Sequence, residues 1–95
     1  MKVYLTAIIK SKPEFTEEVK AVLQNMVIES RKEATCLRYD LHQGVENKNQ
    51  FVFWEIWESK EALETHNQQP YIQAFREMAA EKLEQAPVIS FADRI

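Results

Sequence analysis

Phe51-Val-Phe-Trp-Glu-Ile-Trp-Glu58 is the stretch on which the fold turns. Its β-branched and aromatic residues read as a strand. Side chains alternate along a strand, so Phe51, Phe53, Glu55 and Trp57 share one face and Val52, Trp54 and Ile56 the other. Both faces are apolar. A sheet with one side in water alternates apolar with polar residues, so this strand is expected to be covered on both sides. The chain upstream supplies its partner: Leu37, Tyr39 and Leu41 alternate against Arg38, Asp40 and His42 across Cys36 to Gln43. The connection from Gly44 to Gln50 is polar and holds the only glycine, so the two runs read as an antiparallel hairpin with a long loop.

Val3 to Lys10 forms another strand, again apolar on both sides, with Val3, Leu5, Ala7 and Ile9 against Tyr4 and Ile8. Ser11, Pro13 and Glu14 predict a capping-box helix start. The stripe Phe15, Val19, Val22, Leu23, Met26 and Val27 carries that helix to Arg31–Ala34. Beyond the hairpin, Ser59 caps a second helical stretch bearing Ala62, Leu63 and His66. Pro70 disfavours a helical Gln69 and predicts a break between Asn67 and Pro70. Helix resumes from Tyr71 with Ile72, Phe75, Met78, Ala79 and Leu83 inside, Pro87 ends it, and Val88 to Phe91 make the last strand. The order is βαββαβ. It predicts an α+β, ferredoxin-like domain over residues 1–95, a four-stranded antiparallel sheet with its helices on one face. The bare face is expected to be covered by a second copy, giving a homodimer.

Composition narrows the chemistry. A net charge of −3 without a basic run argues against nucleic acid and against an anionic membrane surface. One cysteine, Cys36, forbids an intrachain disulfide and fits a reducing cytoplasm. The apolar run from Val3 to Ile9 is too short for a signal peptide and ends in Lys10, Lys12 and Pro13. A single glycine leaves no nucleotide loop, and one cysteine with two distant histidines makes a metal cluster implausible. No flavin, haem or metal cofactor is therefore expected, and any chemistry must run on side chains and the substrate's own reactivity.

Glu55 is the odd residue, a carboxylate in a row with Phe51, Phe53 and Trp57. Buried, it needs either a cationic partner on a neighbouring strand or an elevated pKa, and in an apolar cleft the second makes it a candidate acid or base. His66 sits on the helix that packs back over the sheet, either as a satisfied core histidine or as a base with a pKa near neutrality. Trp57 and Phe53 are either core or pocket wall. Tyr39 and Tyr71 are placed to line the same cavity, although a buried tyrosine finds a hydrogen bond whatever its function.

Glu33-Ala-Thr-Cys-Leu-Arg-Tyr39, Glu55-Ile-Trp-Glu-Ser-Lys-Glu-Ala-Leu-Glu-Thr-His66 and Pro70-Tyr71 together resemble the antibiotic biosynthesis monooxygenase domain family, in particular its quinol-oxidising members. The family pattern is E-G-C-x-x-Y, E-x-W-x-S-x-x-A-L-x-x-H and a Pro-His pair. Thr35 stands for the glycine and Tyr71 for the second histidine. The resemblance implies a dimeric α/β barrel and small-molecule oxidation. In haem-degrading relatives an Asn on the first strand joins the Trp and His, and that position corresponds to Thr6. Leu37 to Asp40 and the loop to Phe51 also resemble the branch that isomerises a phosphorylated autoinducer-2 intermediate.

The resulting expectation is cofactor-independent oxidation of an electron-rich phenol, hydroquinone or polycyclic aromatic. His66 and Glu55 are the catalytic candidates, and Trp57, Phe53, Tyr39, Tyr71 and Thr6 bind substrate. The alternatives are an isomerase of a small phosphorylated ketone (the phosphorylated autoinducer-2 intermediate), a haem-degrading enzyme with His66 on the iron, and a non-catalytic small-molecule binding module.

Overall fold

A computed structural model describes residues 1–95. Four strands, β1 (Val3–Lys10), β2 (Cys36–Gln43), β3 (Gln50–Trp57) and β4 (Val88–Ala92), alternate with the helices α1 (Thr16–Arg31), α2 (Lys60–Asn67) and α3 (Pro70–Lys82). The sheet order is β2-β3-β1-β4 with every pairing antiparallel. This is the ferredoxin-like βαββαβ arrangement. Phe51, Phe53, Glu55 and Trp57 are buried beneath the helices, while Trp54 is 51% exposed on the opposite face. The core beneath α1 holds Val19, Leu23 and Met26, with Phe15, Val22 and Val27 packed at its edge. These are the residues of the predicted stripe.

The split between α2 and α3 follows from local chemistry. Ser59 is extended and its side chain accepts the Ala62 amide at 3.1 Å, which starts α2. Gln69, before Pro70, takes φ −64° and ψ 145°, the extended geometry that a following proline imposes. Pro70 then opens α3 at a position where no amide is needed. Beyond the break, α3 buries Ile72 and Phe75 in the core.

Two boundaries differ from the sequence reading. Ser11 does not cap α1. It forms an isolated antiparallel bridge with Leu83, its amide donates to the Asn49 carbonyl at 2.9 Å, and its hydroxyl lies 3.0 Å from Thr16 Oγ1. Tertiary hydrogen bonds therefore hold Ser11 extended, and the chain enters α1 through a 3₁₀ turn at Pro13–Phe15. The same bridge ends α3 at Lys82, ahead of Pro87. Leu83 is extended and stays buried, while the Lys82 carbonyl accepts from the Lys12 amide.

The uncovered face carries Tyr4, Thr6 and Ile8, then Val52, Trp54 and Ile56, with Arg38, Asp40 and His42 on β2, as the register requires. The Trp54 indole stacks on the His42 ring, with centroids 4.5 Å apart. No helix is long and apolar enough to cross a membrane.

Candidate active site

The covered face of the sheet and helices α2 and α3 enclose a cleft of about 670 Å³, within the roughly 300–1,000 Å³ typical of small-molecule sites. Its floor is Leu5, Ala7 and Ile9 of β1 with Phe53 of β3, and its roof is Ile72, Phe75 and Ala79 of α3. At its inner end Tyr39, Glu55 and His66 meet. Ile89 and Phe91 of β4, 54% and 66% exposed, form its open side.

His66 faces the cleft because α2 places it one turn beyond Ala62 and Leu63, whose side chains pack on the sheet. The ring is 3% exposed. Its Nδ1 lies 2.7 Å from Glu33 Oε2, an acceptor that fixes the proton on Nδ1 and leaves the Nε2 lone pair free. Burial pushes the His66 pKa below the ordinary histidine value; the Glu33 carboxylate opposes this and the Arg76 charge adds to it. The imidazole is thus a neutral base near pH 7. The Tyr71 hydroxyl donates to the same Glu33 oxygen. Burial raises the Tyr71 pKa, helped by that bond, so the phenol stays protonated and remains a donor.

Glu55 has no cationic partner. Its Oε1 accepts from Trp57 Nε1 at 2.9 Å. Burial raises its pKa to about 7, and the indole bond works against that rise. The lone-carboxylate alternative of the sequence reading is the one realised, and Glu55 exchanges a proton near neutrality. Trp57 is fully buried and does not line the cleft. It packs against His66 with ring centroids 4.2 Å apart, so one indole supports both titratable groups from behind. Tyr39 bridges the cluster, 4.9 Å from Phe53 and 5.6 Å from His66. Burial, followed by the Glu55 charge, raises its pKa.

His66, Glu55, Trp57, Phe53, Tyr39 and Tyr71 are therefore brought together, four of them on the cleft wall and Trp57 and Tyr71 behind it. Thr6 is not. It sits opposite Trp54 on the uncovered face, because the odd-numbered residues of β1 are the ones that point under the helices. Glu33 is the residue that reading by role missed. It lies in the turn after α1, outside any periodic pattern, and only its place ahead of Cys36 in the motif marked it. Cys36 is half-buried and free, and burial with the Glu33 and Glu55 charges pushes its thiol up to about 11. It is a poor nucleophile. No three His, Cys, Asp or Glu side chains converge as metal ligands.

The chain as a whole is similar to several known proteins. A Synechocystis protein, sll1783, is 36% identical over 75 residues, 79% of this chain and 51% of the relative. The chain thus spans about half of that relative's length. A Bacillus subtilis protein named "Putative monooxygenase YcnE" is 38% identical over 73 residues, 77% of each chain. Among solved structures, PA3566 from Pseudomonas aeruginosa superimposes with a TM-score of 0.94 at 31% identity, covering 99% of this chain and 94% of that one. Rv0793 from Mycobacterium tuberculosis shares the fold, with a TM-score of 0.92 at 23% identity over 100% of this chain and 96% of that one. The sequence profile of the antibiotic biosynthesis monooxygenase family matches residues 3–78, a span running from β1 through the Glu33–His66–Tyr71 cluster, and the chain belongs to that family.

Proposed function

We propose that the cleft oxidises an electron-rich phenol or hydroquinone with molecular oxygen, without a cofactor. The observation that carries this reading is the pairing of two buried groups shifted in opposite senses. His66 is held neutral with its Nδ1 on Glu33, and Glu55 is held protonated up to about pH 7. Such divergence separates a base from an acid within one site.

His66 Nε2 takes the phenolic proton, and the resulting anion is electron-rich enough to give one electron to oxygen. The radical pair joins through a ring carbon–oxygen bond, and the peroxide takes up a proton. Loss of the ring C–H proton then breaks the O–O bond, with Glu55 protonating the departing hydroxide. One oxygen atom stays on the ring and the other leaves as water, so a hydroquinone and O₂ give a hydroxyquinone and H₂O. Phe53 and the α3 side chains shield the anion from bulk water, while Trp57 and Glu33 position the two proton-transfer groups. We also read residues 1–95 as one domain that works in the cytoplasm as a homodimer, its bare sheet face against that of a second copy.

Turnover of 1,4-hydroquinones under ¹⁸O₂ tests the reading. The expected product carries one labelled oxygen, forms equally well in the presence of a chelator, and falls roughly 10²–10⁴-fold in His66→Ala. Turnover of a phosphorylated ketone without oxygen would replace this reading with the isomerase. A Soret band on haem addition that is lost in His66→Ala would replace it with haem degradation. Failure of every ligand to bind would leave a structural module.

A further inference from the structure

Helix α3 presents Ile72, Phe75 and Ala79 to the cleft at helical spacing, the extended Leu83 follows them on the lining, and one residue of the helix's lining stripe is charged: Arg76. The Arg76 side chain is exposed at the cleft mouth, takes part in none of the chain's ion pairs and makes no side-chain hydrogen bond. It is close enough to His66 for its charge to register on the imidazole. The other polar residues on the lining are Asn67, at the end of α2, and Glu84 and Gln85, in the segment after α3. Everything deeper in the cleft, apart from Tyr39, Glu55 and His66, is apolar.

A ligand filling this space has an apolar body on Phe53 and Phe75, a proton-bearing group against His66 and a third region at the mouth. We infer that Arg76 recognises a carboxylate there, so that the substrate is an aromatic hydroxy acid rather than a neutral phenol. The inference rests on the cleft being the substrate site, as proposed above. A planar guanidinium with its donors free matches a carboxylate in two parallel hydrogen bonds. A phosphate dianion is the poorer fit: only one cation lines the cleft, and the Glu84 carboxylate at the same mouth repels a second negative charge. Asn67 and Gln85 supply further hydrogen-bonding capacity beside Arg76.

Calorimetric binding of three probes under anaerobic conditions, a hydroxynaphthoate, naphthol and naphthyl phosphate, tests this without turnover, because the proposed reaction needs oxygen. The hydroxynaphthoate is expected to bind roughly tenfold more tightly than naphthol, the size of one charge-assisted contact at a partly solvated site. Arg76→Gln should abolish that preference while moving naphthol binding by less than a factor of about two, and Arg76→Lys should restore only part of it. Glu84→Gln should tighten carboxylate binding, and added salt should weaken it. Equal affinity for hydroxynaphthoate and naphthol would overturn the inference, as would a preference that survives Arg76→Gln. Tighter binding of naphthyl phosphate than of the carboxylate would overturn the assignment of carboxylate. Carboxylate selectivity in the anaerobic titrations, with no oxygen consumption by the bound hydroxy acid or by hydroquinones once air is admitted, would instead sink the oxidation reading and leave the Arg76 contact standing.

Discussion

Glu55 shows how one residue links burial, acidity and stability. Its ordinary pKa of 4.5 rises to about 7 in the fold because burial disfavours the carboxylate. Between those values the folded state holds the proton more firmly than the unfolded one, so stability falls as pH rises through that window. Glu55→Gln should therefore be more stable than the parent at pH 8, by on the order of 2–3 kcal/mol at most, with the gain fading toward pH 4.5. Thermal melts of both proteins across that range check it. His66 runs the other way: its lowered pKa means the fold loses stability as pH drops below the ordinary histidine value of 6.5. At this scale the sequence was informative where an anomaly stood in a regular row. A carboxylate among aromatics marked Glu55, and a histidine on an apolar helical side marked His66. Glu33 had no such context, since its role comes from a contact 33 residues away that local spacing does not encode. Thr6 was assigned by correspondence with a relative, and strand parity puts it on the other face.

Among the elements, those read correctly have start and stop signals that act locally. The Ser59 cap and the Pro70 break are set by a side chain three residues from its acceptor and by a ring clashing with its neighbour. Ser59→Ala should destabilise the protein by about 1 kcal/mol, measurable as a lower denaturant midpoint with an unchanged slope, because the hydroxyl accepts an amide that is otherwise unpaired. Ser11 carried the same signal and was used differently. Its amide and hydroxyl engage Asn49 and Thr16, and the bridge to Leu83 both delays α1 and shortens α3. A capping motif competes with long-range pairing, and residues 49 and 83 are not visible from residue 11. Strand periodicity faced no such competition, so β1, β2 and β3 lie within a residue of their predicted limits.

For the molecule as a whole, the uncovered face is the largest feature left without a partner. Trp54, 51% exposed, and Val88, 46% exposed, lie on it in water, and Ile8, Val52 and Ile56 flank them. Light scattering is expected to show a dimer at micromolar concentration, and Trp54→Glu to shift it toward monomer by burying an unpaired charge. The central claim, that His66 is the base and Glu55 the acid, is tested most directly by the pH dependence of kcat/KM for oxygen consumption with a hydroquinone. The parent protein is expected to give a bell-shaped profile, with its acid limb below the ordinary histidine pKa of 6.5 and its alkaline limb near 7. His66→Ala should erase the acid limb, and Glu55→Gln the alkaline one. An acid limb that persists in His66→Ala and disappears in Glu55→Gln would contradict the account.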